Sequence, residues 1–384
     1  MEQKFVAKRY QNAQSSMLAD LGPMAAQKKD LINFSIGDPD LKTDDRIIEA
    51  AFQDAKAGHT HYTDPRGYRQ LRDAIRTFYQ DEFGFAVADE EVTVTTSACQ
   101  GMWAVMEAVL NPGDEVIVPE PYFSPYKDQI EIAGGVLVPL PTREEENFEV
   151  NVHRIEELIT PKTRAILFNT PNNPTGSCFG REALQVIADV ATRHDLLVIA
   201  DDIYTIFSYG GPFIPINTLP GMQQRTVTVR SFSKDYCMTG WRIGYIIAPA
   251  AIIHAIQLAG ECNVYSAPSV SQRAAIAALG LRKEVQPGIV AEFRHRTEVA
   301  CAAIEPISYL SVLPPQGSIY LFVNIKRTGL TSYEFAKQLL LRYHILVVPG
   351  NAFGSSGEGY VRLALTLGEE QIRAAFARLP KDAF

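Results

Sequence analysis

The chain has 384 residues, enough for two domains and a large buried core. With 46% hydrophobic residues, 21% charged residues and a net charge of −8, it has the make-up of an ordinary globular protein and no sign of a nucleic-acid surface. The start MEQKFVAKRY lacks an apolar signal segment, no run approaches the ~18 apolar residues of a membrane span, and five scattered cysteines form no C-x-x-C pair, so a reduced, cytoplasmic protein without nucleic-acid or membrane partners is expected.

The first thirty residues are polar and read as an arm. Leu31–Ile36 predicts a short strand that ends in the turn Gly37-Asp38-Pro39. A helix is predicted over Asp45–Ala57, a loop over His59–Gly67 and a charged amphipathic helix over Tyr68–Glu82. His59 and His61 form an H-x-H with no third ligand at a metal-site spacing, so no metal is expected.

From residue 92 onward, short β-branched strands alternate with helical segments. Val92–Thr95 precedes Ala98–Leu110, Glu115–Pro119 precedes Tyr122–Ala133, Val136–Leu140 precedes Val152–Ile159, and Arg164–Asn169 precedes Arg181–His194. Leu196–Ala200, Thr226–Arg230 and Gly244–Ala248 complete the set. This alternation predicts an α/β fold: a large domain with a mostly parallel sheet covered by helices on both faces. Helical patterns follow at Ala250–Gly260, Ser269–Leu279 and Pro287–Glu305, the last carrying Arg294-His295-Arg296 as an exposed face. Strands Ile319–Asn324, Ile345–Val348 and Tyr360–Leu365 then interleave with helices Ser332–Leu341 and Glu369–Leu379, an α+β pattern. The expected organisation is an N-terminal arm and part of a small domain over 1–44, a large cofactor-binding domain over 45–282, and a small domain over 283–384.

In sheets of this kind ligands sit beyond the carboxyl ends of the strands, so chemistry is sought just after each one. After Thr226–Arg230, Ser231 and Ser233 flank Lys234, and Arg242 follows eight residues later. Two hydroxyls and a guanidinium beside one lysine suit a phosphate monoester whose other end reacts with the amine, and pyridoxal 5′-phosphate is such a molecule. Asp201, after Leu196–Ala200, is placed to pair with a protonated pyridine nitrogen, and Tyr204 to bond the ring's phenolic oxygen. The competing reading of Asp201-Asp202 is a helix N-cap. The loop TPNNPTG (170–176), stiffened by prolines, offers the amide of Asn173. Thr96-Ser97-Ala98-Cys99 opens a helix whose free N–H groups suit a phosphate. In the aromatic run from Tyr122 to Tyr126, Tyr122 or Phe123 could stack on a flat ring.

With these residues in view, the chain resembles the pyridoxal-phosphate-dependent aminotransferases of fold type I, the aspartate-aminotransferase-like superfamily. The resemblance runs from Ser35-Ile-Gly-Asp-Pro39 to Tyr360-Val-Arg-Leu363, and its specific motifs are PNNPTG (171–176), DDIY (201–204), SFSK (231–234), GWRIG (240–244) and PGNAFG (349–354). It implies that Lys234 carries the cofactor as a Schiff base and shuttles the substrate α-proton. Asp201 would pair with the pyridine nitrogen, Asn173 and Tyr204 would hold the ring oxygen, and Phe123 would stack on the ring. The Ala98 and Cys99 amides, Ser231, Ser233 and Arg242 would form the phosphate shell. Arg362, with Asn173 and Gly37, would hold the substrate α-carboxylate. The resemblance sends Tyr62 to the phosphate of the neighbouring subunit, in a homodimer with shared active sites. Ser97 stands where glycine is frequent in the family, and Asp202 where glutamate is frequent.

The activity implied is transfer of the amino group of an L-amino acid to a 2-oxo acid, 2-oxoglutarate being the expected acceptor. No arginine for a second substrate carboxylate is identifiable, so aspartate specificity is not implied. The side-chain pocket is expected from loops such as 10–24 and 262–268. The alternative is a carbon–sulfur β-lyase or another elimination enzyme of the same fold. A non-catalytic effector-binding domain is a further rival, against which the complete constellation argues.

Overall fold

The computed structural model of the chain describes residues 2–7, 10 and 17–384; residues 1, 8, 9 and 11–16, part of the predicted arm and of the 10–24 loop, lie outside the described residues. Its strands, in chain order, are β1 (Ile32–Asn33), β2 (Val92–Thr95), β3 (Glu115–Glu120), β4 (Val136–Pro141), β5 (Thr163–Asn169), β6 (Leu197–Asp201), β7 (Thr226–Ser231), β8 (Gly244–Ile247), β9 (Ser311–Val312), β10 (Tyr320–Asn324), β11 (Ile345–Leu346), β12 (Val348–Pro349) and β13 (Tyr360–Ala364). The main sheet has the order β2-β8-β7-β6-β5-β3-β4. Strands β3 to β7 are mutually parallel, while β8 runs antiparallel to both β2 and β7. The sheet is therefore mostly parallel. The reversed strand begins where its neighbours end: Gly244 lies in register with Thr95 and with Ser231. Chain entering β8 thus meets chain leaving β2 and β7.

Neighbouring residues of a strand point to opposite faces, and here both faces are covered. Val116, Val118, Leu167 and Ile199 pack with Met102 and Met106 of helix Ser97–Val109 and with Ile256 of helix Ala250–Glu261. The intervening Ile117, Ile166, Phe168 and Val198 pack with Leu184 and Ile187 of helix Arg181–Arg193. Such strands carry few exposed positions, and β7 is buried along its whole length although it alternates valine with threonine and ends in Arg230-Ser231.

A separate core joins Leu21, Ile32 and Phe34 to Leu321, Val323, Phe335, Leu363 and Phe376. It holds the sheet β12-β13-β10-β9 and the parallel pair β1 and β11. The smaller α+β unit is therefore built from the C-terminal part and the N-terminal segment together. The single strand expected over Ile345–Val348 is two: Leu346 pairs with Asn33, whereas Val348 pairs with Arg362.

Two expectations are corrected here. The helices predicted at Ser269–Leu279 and Pro287–Glu305 are one helix, Ser269–Ile304, with Pro287 inside it and no break at residues 282 and 283. An interior proline costs about 3 kcal/mol. Ala274, Ala278 and Leu279 bury into the sheet's core while Val299, Ala300 and Ile304 bury into the second, which holds both halves in line. Arg296 is not part of an exposed face: its guanidinium is buried against Asp40 at 2.6 Å and Glu292 at 2.7 Å.

Candidate active site

The carboxyl ends of β6 and β7 and the segment leading into β8 open into a cavity of about 430 Å³. Ser35 to Asp38 of the N-terminal segment, with Tyr320 and Arg362 of the smaller sheet, border it as well. Every residue that the family resemblance gives a role at the cofactor or substrate lines this cavity except Tyr62.

Asp201 closes β6 and is buried. Its Oδ2 accepts a short hydrogen bond from the Tyr126 hydroxyl, and its Oδ1 has no partner. Burial pushes the carboxyl up to about 7, against the opposing pull of the Tyr126 bond. No helix starts at Asp201-Asp202, so the N-cap alternative falls away; only a short 3₁₀ turn follows, at Thr205–Phe207. The Lys234 ammonium donates to the Gly37 carbonyl. Phe123 is half-buried and borders the cavity, meeting Tyr126 edge-on at 5.5 Å, whereas Tyr122 is buried and does not border it.

Close backbone packing shapes the other end. A Cβ on Gly244 would stand 2.6 Å from the Arg230 carbonyl oxygen and 2.8 Å from the Ala98 nitrogen, so only glycine lets the helix start lie against β8. Ser97 opens that helix at φ 72°, a left-handed backbone that favours glycine and strains serine. That is the position where the resembled family frequently carries glycine. Ser233 N donates to Ser231 Oγ at 3.0 Å, and Arg242 Nη1 to the Thr239 carbonyl at 2.8 Å. Ala98 and Cys99 head the helix beside them.

Arg362, on β13, is buried. It donates from Nη1 to Asn173 Oδ1 at 3.3 Å and from Nη2 to the Ser35 carbonyl, while Nε has no partner. Its guanidinium lies between two rings, 4.6 Å from that of Tyr320 and 5.1 Å from that of Phe353. The Asn173 loop is pinned from within, Asn173 N donating to Asn169 Oδ1 at 2.8 Å and Thr175 N to Asn172 Oδ1 at 3.0 Å. Tyr62 is 86% exposed, its ring 5.1 Å from that of Tyr265. It borders a separate open hollow with His61, Thr96 and Ser266.

The sequence matches the family Aminotransferase class I and II over residues 29–379. The chain belongs to that family. It is 37% identical to an arginine–pyruvate transaminase of Pseudomonas aeruginosa over 92% of this chain and 90% of that one. It is also 37% identical to an aspartate aminotransferase of Pyrococcus abyssi, over 95% of each. Among solved structures it superposes on an aromatic aminotransferase of Pyrococcus horikoshii with a TM-score of 0.89, at 35% identity and coverage of 93% and 97%. A Thermus thermophilus aspartate aminotransferase gives a TM-score of 0.93 at 31% identity, covering 97% and 98%. The class I and II aminotransferases are pyridoxal-phosphate-dependent transaminases, and this chain is one of them.

Met102, Gln129 and Thr239 line this aminotransferase's cavity without any mark in the sequence, and two tyrosines there matter more. Tyr126 entered the sequence reading only as an aromatic, yet its hydroxyl binds Asp201, 75 residues away. Tyr320 did not enter at all, although its hydroxyl lies 3.0 Å from that of Tyr204, 116 residues away. A tyrosine's hydroxyl partner has no local sequence signal.

Proposed function

We propose that this aminotransferase holds pyridoxal 5′-phosphate in the cavity, anchored covalently on Lys234, and moves the amino group of an L-amino acid to 2-oxoglutarate. The half-satisfied Asp201 carries this reading. A buried carboxyl with one oxygen bonded by Tyr126 and the other free is suited to a protonated ring nitrogen, which would keep it ionised despite burial. The cofactor, when bound, supplies an electron sink for the bond broken at the substrate α-carbon.

The chain's residues do the rest. Ser231, Ser233, Arg242 and the Ala98 and Cys99 amides bind the phosphate, the helix start contributing its unpaired N–H groups. Phe123 covers one face of the ring. Asn173 and Tyr204 donate to its phenolic oxygen. Arg362 grips the α-carboxylate two-pronged, with Asn173 and Gly37, and so aims the α-hydrogen at Lys234. The Lys234 amine takes that proton and returns it at the end of the transfer. Tyr62 belongs, on this reading, to the phosphate site of a second copy of the chain in a homodimer. The named relatives act by name on arginine, aspartate and aromatic donors, and an L-amino acid is the donor class these names share. Five unpaired cysteines suit the reducing cytoplasm as its place of work.

Purified protein should be yellow, and Lys234→Ala should lose the absorbance of the anchored cofactor. A reconstituted protein that stays colourless, or an unchanged spectrum in the variant, overturns the reading. Amino donors are then screened with 2-oxoglutarate and with pyruvate, read as glutamate or alanine formed. Turnover with pyruvate alone would replace the acceptor, and steady ammonia and pyruvate from cystathionine without an acceptor would mark a lyase.

A further inference from the structure

We infer that Tyr320 is a positioning residue that couples Arg362 to Tyr204, so that capture of the substrate carboxylate is felt at the cofactor. The inference rests on the roles given to Lys234, Tyr204 and Arg362 above. Tyr320 opens β10 of the smaller sheet and is buried. Its ring supports the Arg362 guanidinium at 4.6 Å. Its hydroxyl lies 3.0 Å from that of Tyr204, which follows β6 of the main sheet, and the two rings meet edge-on at 5.6 Å and 81°. The same hydroxyl fills the space above Gly37, where a Cβ would stand 2.0 Å from it. The Gly37 carbonyl in turn receives the Lys234 ammonium. One side chain therefore meets the group that reads the substrate, the group that holds the ring oxygen, and the backbone against which the lysine rests.

A phenol has one proton to donate and two lone pairs. If Tyr204 donates to the ring oxygen, the 3.0 Å contact requires Tyr320 to donate to Tyr204. A donor that itself accepts a hydrogen bond is polarised and donates more strongly. The charged and titratable groups facing the pair are Asp201 at the end of β6 with Tyr126 bonded to it, Arg362 on β13 and, through Gly37, Lys234. Tyr320 and Arg362 stand on the smaller sheet and Tyr204 follows β6 of the main sheet, so the hydroxyl pair links the two sheets inside one apolar cluster that Phe207, Phe293 and Ala364 complete. A shift of β10 and β13 on substrate capture would reach Tyr204 directly, and by linkage the coupling acts in both directions.

Two holoenzyme variants separate the two ends of the side chain. Tyr320→Phe removes only the oxygen and leaves a ring beneath Arg362. The pH midpoint of the bound cofactor's absorbance should rise by ~0.5, because a weaker bond to the ring oxygen leaves the lysine-linked nitrogen more basic. With it, kcat should fall about fivefold while KM stays within about twofold. Tyr320→Leu removes the ring as well, and KM should rise about fivefold further as the cation loses its aromatic face. Tyr204→Phe combined with Tyr320→Phe should shift the midpoint no more than Tyr204→Phe alone. A Tyr320→Phe enzyme with unchanged midpoint and kcat overturns the inference, and so does an additive shift in the double variant. A loss of thermal stability with no spectral shift would reduce Tyr320 to a structural residue. Failure of the underlying reading shows separately, as a wild-type enzyme with no lysine-dependent absorbance.

Discussion

Arg362 shows what one residue's geometry decides. Its guanidinium is buried between the rings of Tyr320 and Phe353, with two donors spent on Asn173 and the Ser35 carbonyl. Lysine in that place keeps the charge and loses the planar fork, so Arg362→Lys should lower kcat/KM on the order of 10²-fold, about 3 kcal/mol, while the cofactor stays bound. Steady-state kinetics with a spectral check of occupancy measures this. Unchanged turnover with weaker cofactor binding would move Arg362 to the phosphate end. Asp201 gives a second prediction. In the cofactor-free protein its carboxyl is held at about 7 against 3.8 for the free side chain, chiefly by burial. The folded state therefore keeps a proton that the unfolded chain has released. The stability this contributes is whole below pH 4, drains away as pH rises towards 7, and is gone above it, a change on the order of 4 kcal/mol at most. Asp202 and Asp235, raised to about 8 and about 6 by burial, tilt the slope the same way. Urea unfolding of the cofactor-free protein at pH 5 and pH 8 should show a smaller difference in Asp201→Asn than in the wild type; equal differences would refute it.

At the scale of elements, the join between β3 and the loop leading into β13 is held by one side chain. Glu120, at the end of β3, accepts from Ser355 N at 2.8 Å, Ser356 N at 3.2 Å, Ser355 Oγ at 3.2 Å and Ser356 Oγ at 2.6 Å. Tyr122 N adds a bond to the Phe353 carbonyl at 3.0 Å. The loop can lie this close because Gly354, at φ 107°, has no side chain: a Cβ there would sit 2.0 Å from Glu120 Oε1. Glu120 thus ties the segment that presents Phe123 to the strand that presents Arg362. Glu120→Ala should cost about 2 kcal/mol in urea unfolding and raise the KM for the amino donor; Glu120→Gln, which retains one acceptor oxygen, should cost about half of that. An alanine variant with wild-type stability and KM would show the join to be held elsewhere. None of this was legible in the sequence, where Glu120 is one carboxylate before a proline. Lys234, Asp201 and Asn173 were legible, because each follows directly on a strand whose end local pattern marks.

At the scale of the molecule, Tyr62 stands apart from the cavity within a single chain, 86% exposed beside Tyr265. A two-fold dimer presents the same loop twice, so both sites would be completed together. A mixed dimer tests this, one chain carrying Lys234→Ala and the other Tyr62→Phe. If Tyr62 serves the other subunit, both lesions fall in one site and the other binds cofactor as the wild type does. If it serves its own chain, each site carries one lesion, and a mixed dimer with no wild-type-like site would refute the shared arrangement.

The sequence by itself determined the strand–helix alternation, the short β-branched strands and the residues at their ends, because each is written in neighbouring positions. From these came the mostly parallel sheet, the grouping of Ser231, Ser233 and Arg242 around Lys234, and the family resemblance. Tertiary structure alone decided what distant groups do to one another. It joined Ser269–Ile304 through Pro287 because two cores grip its ends, and it buried Arg296 against Asp40. It also placed Tyr126 on Asp201 and Tyr320 between Arg362 and Tyr204. Hydrogen bonds and ring contacts of this kind span from 42 to 256 residues of chain and leave no local periodicity, so they exist only once the sheets have packed.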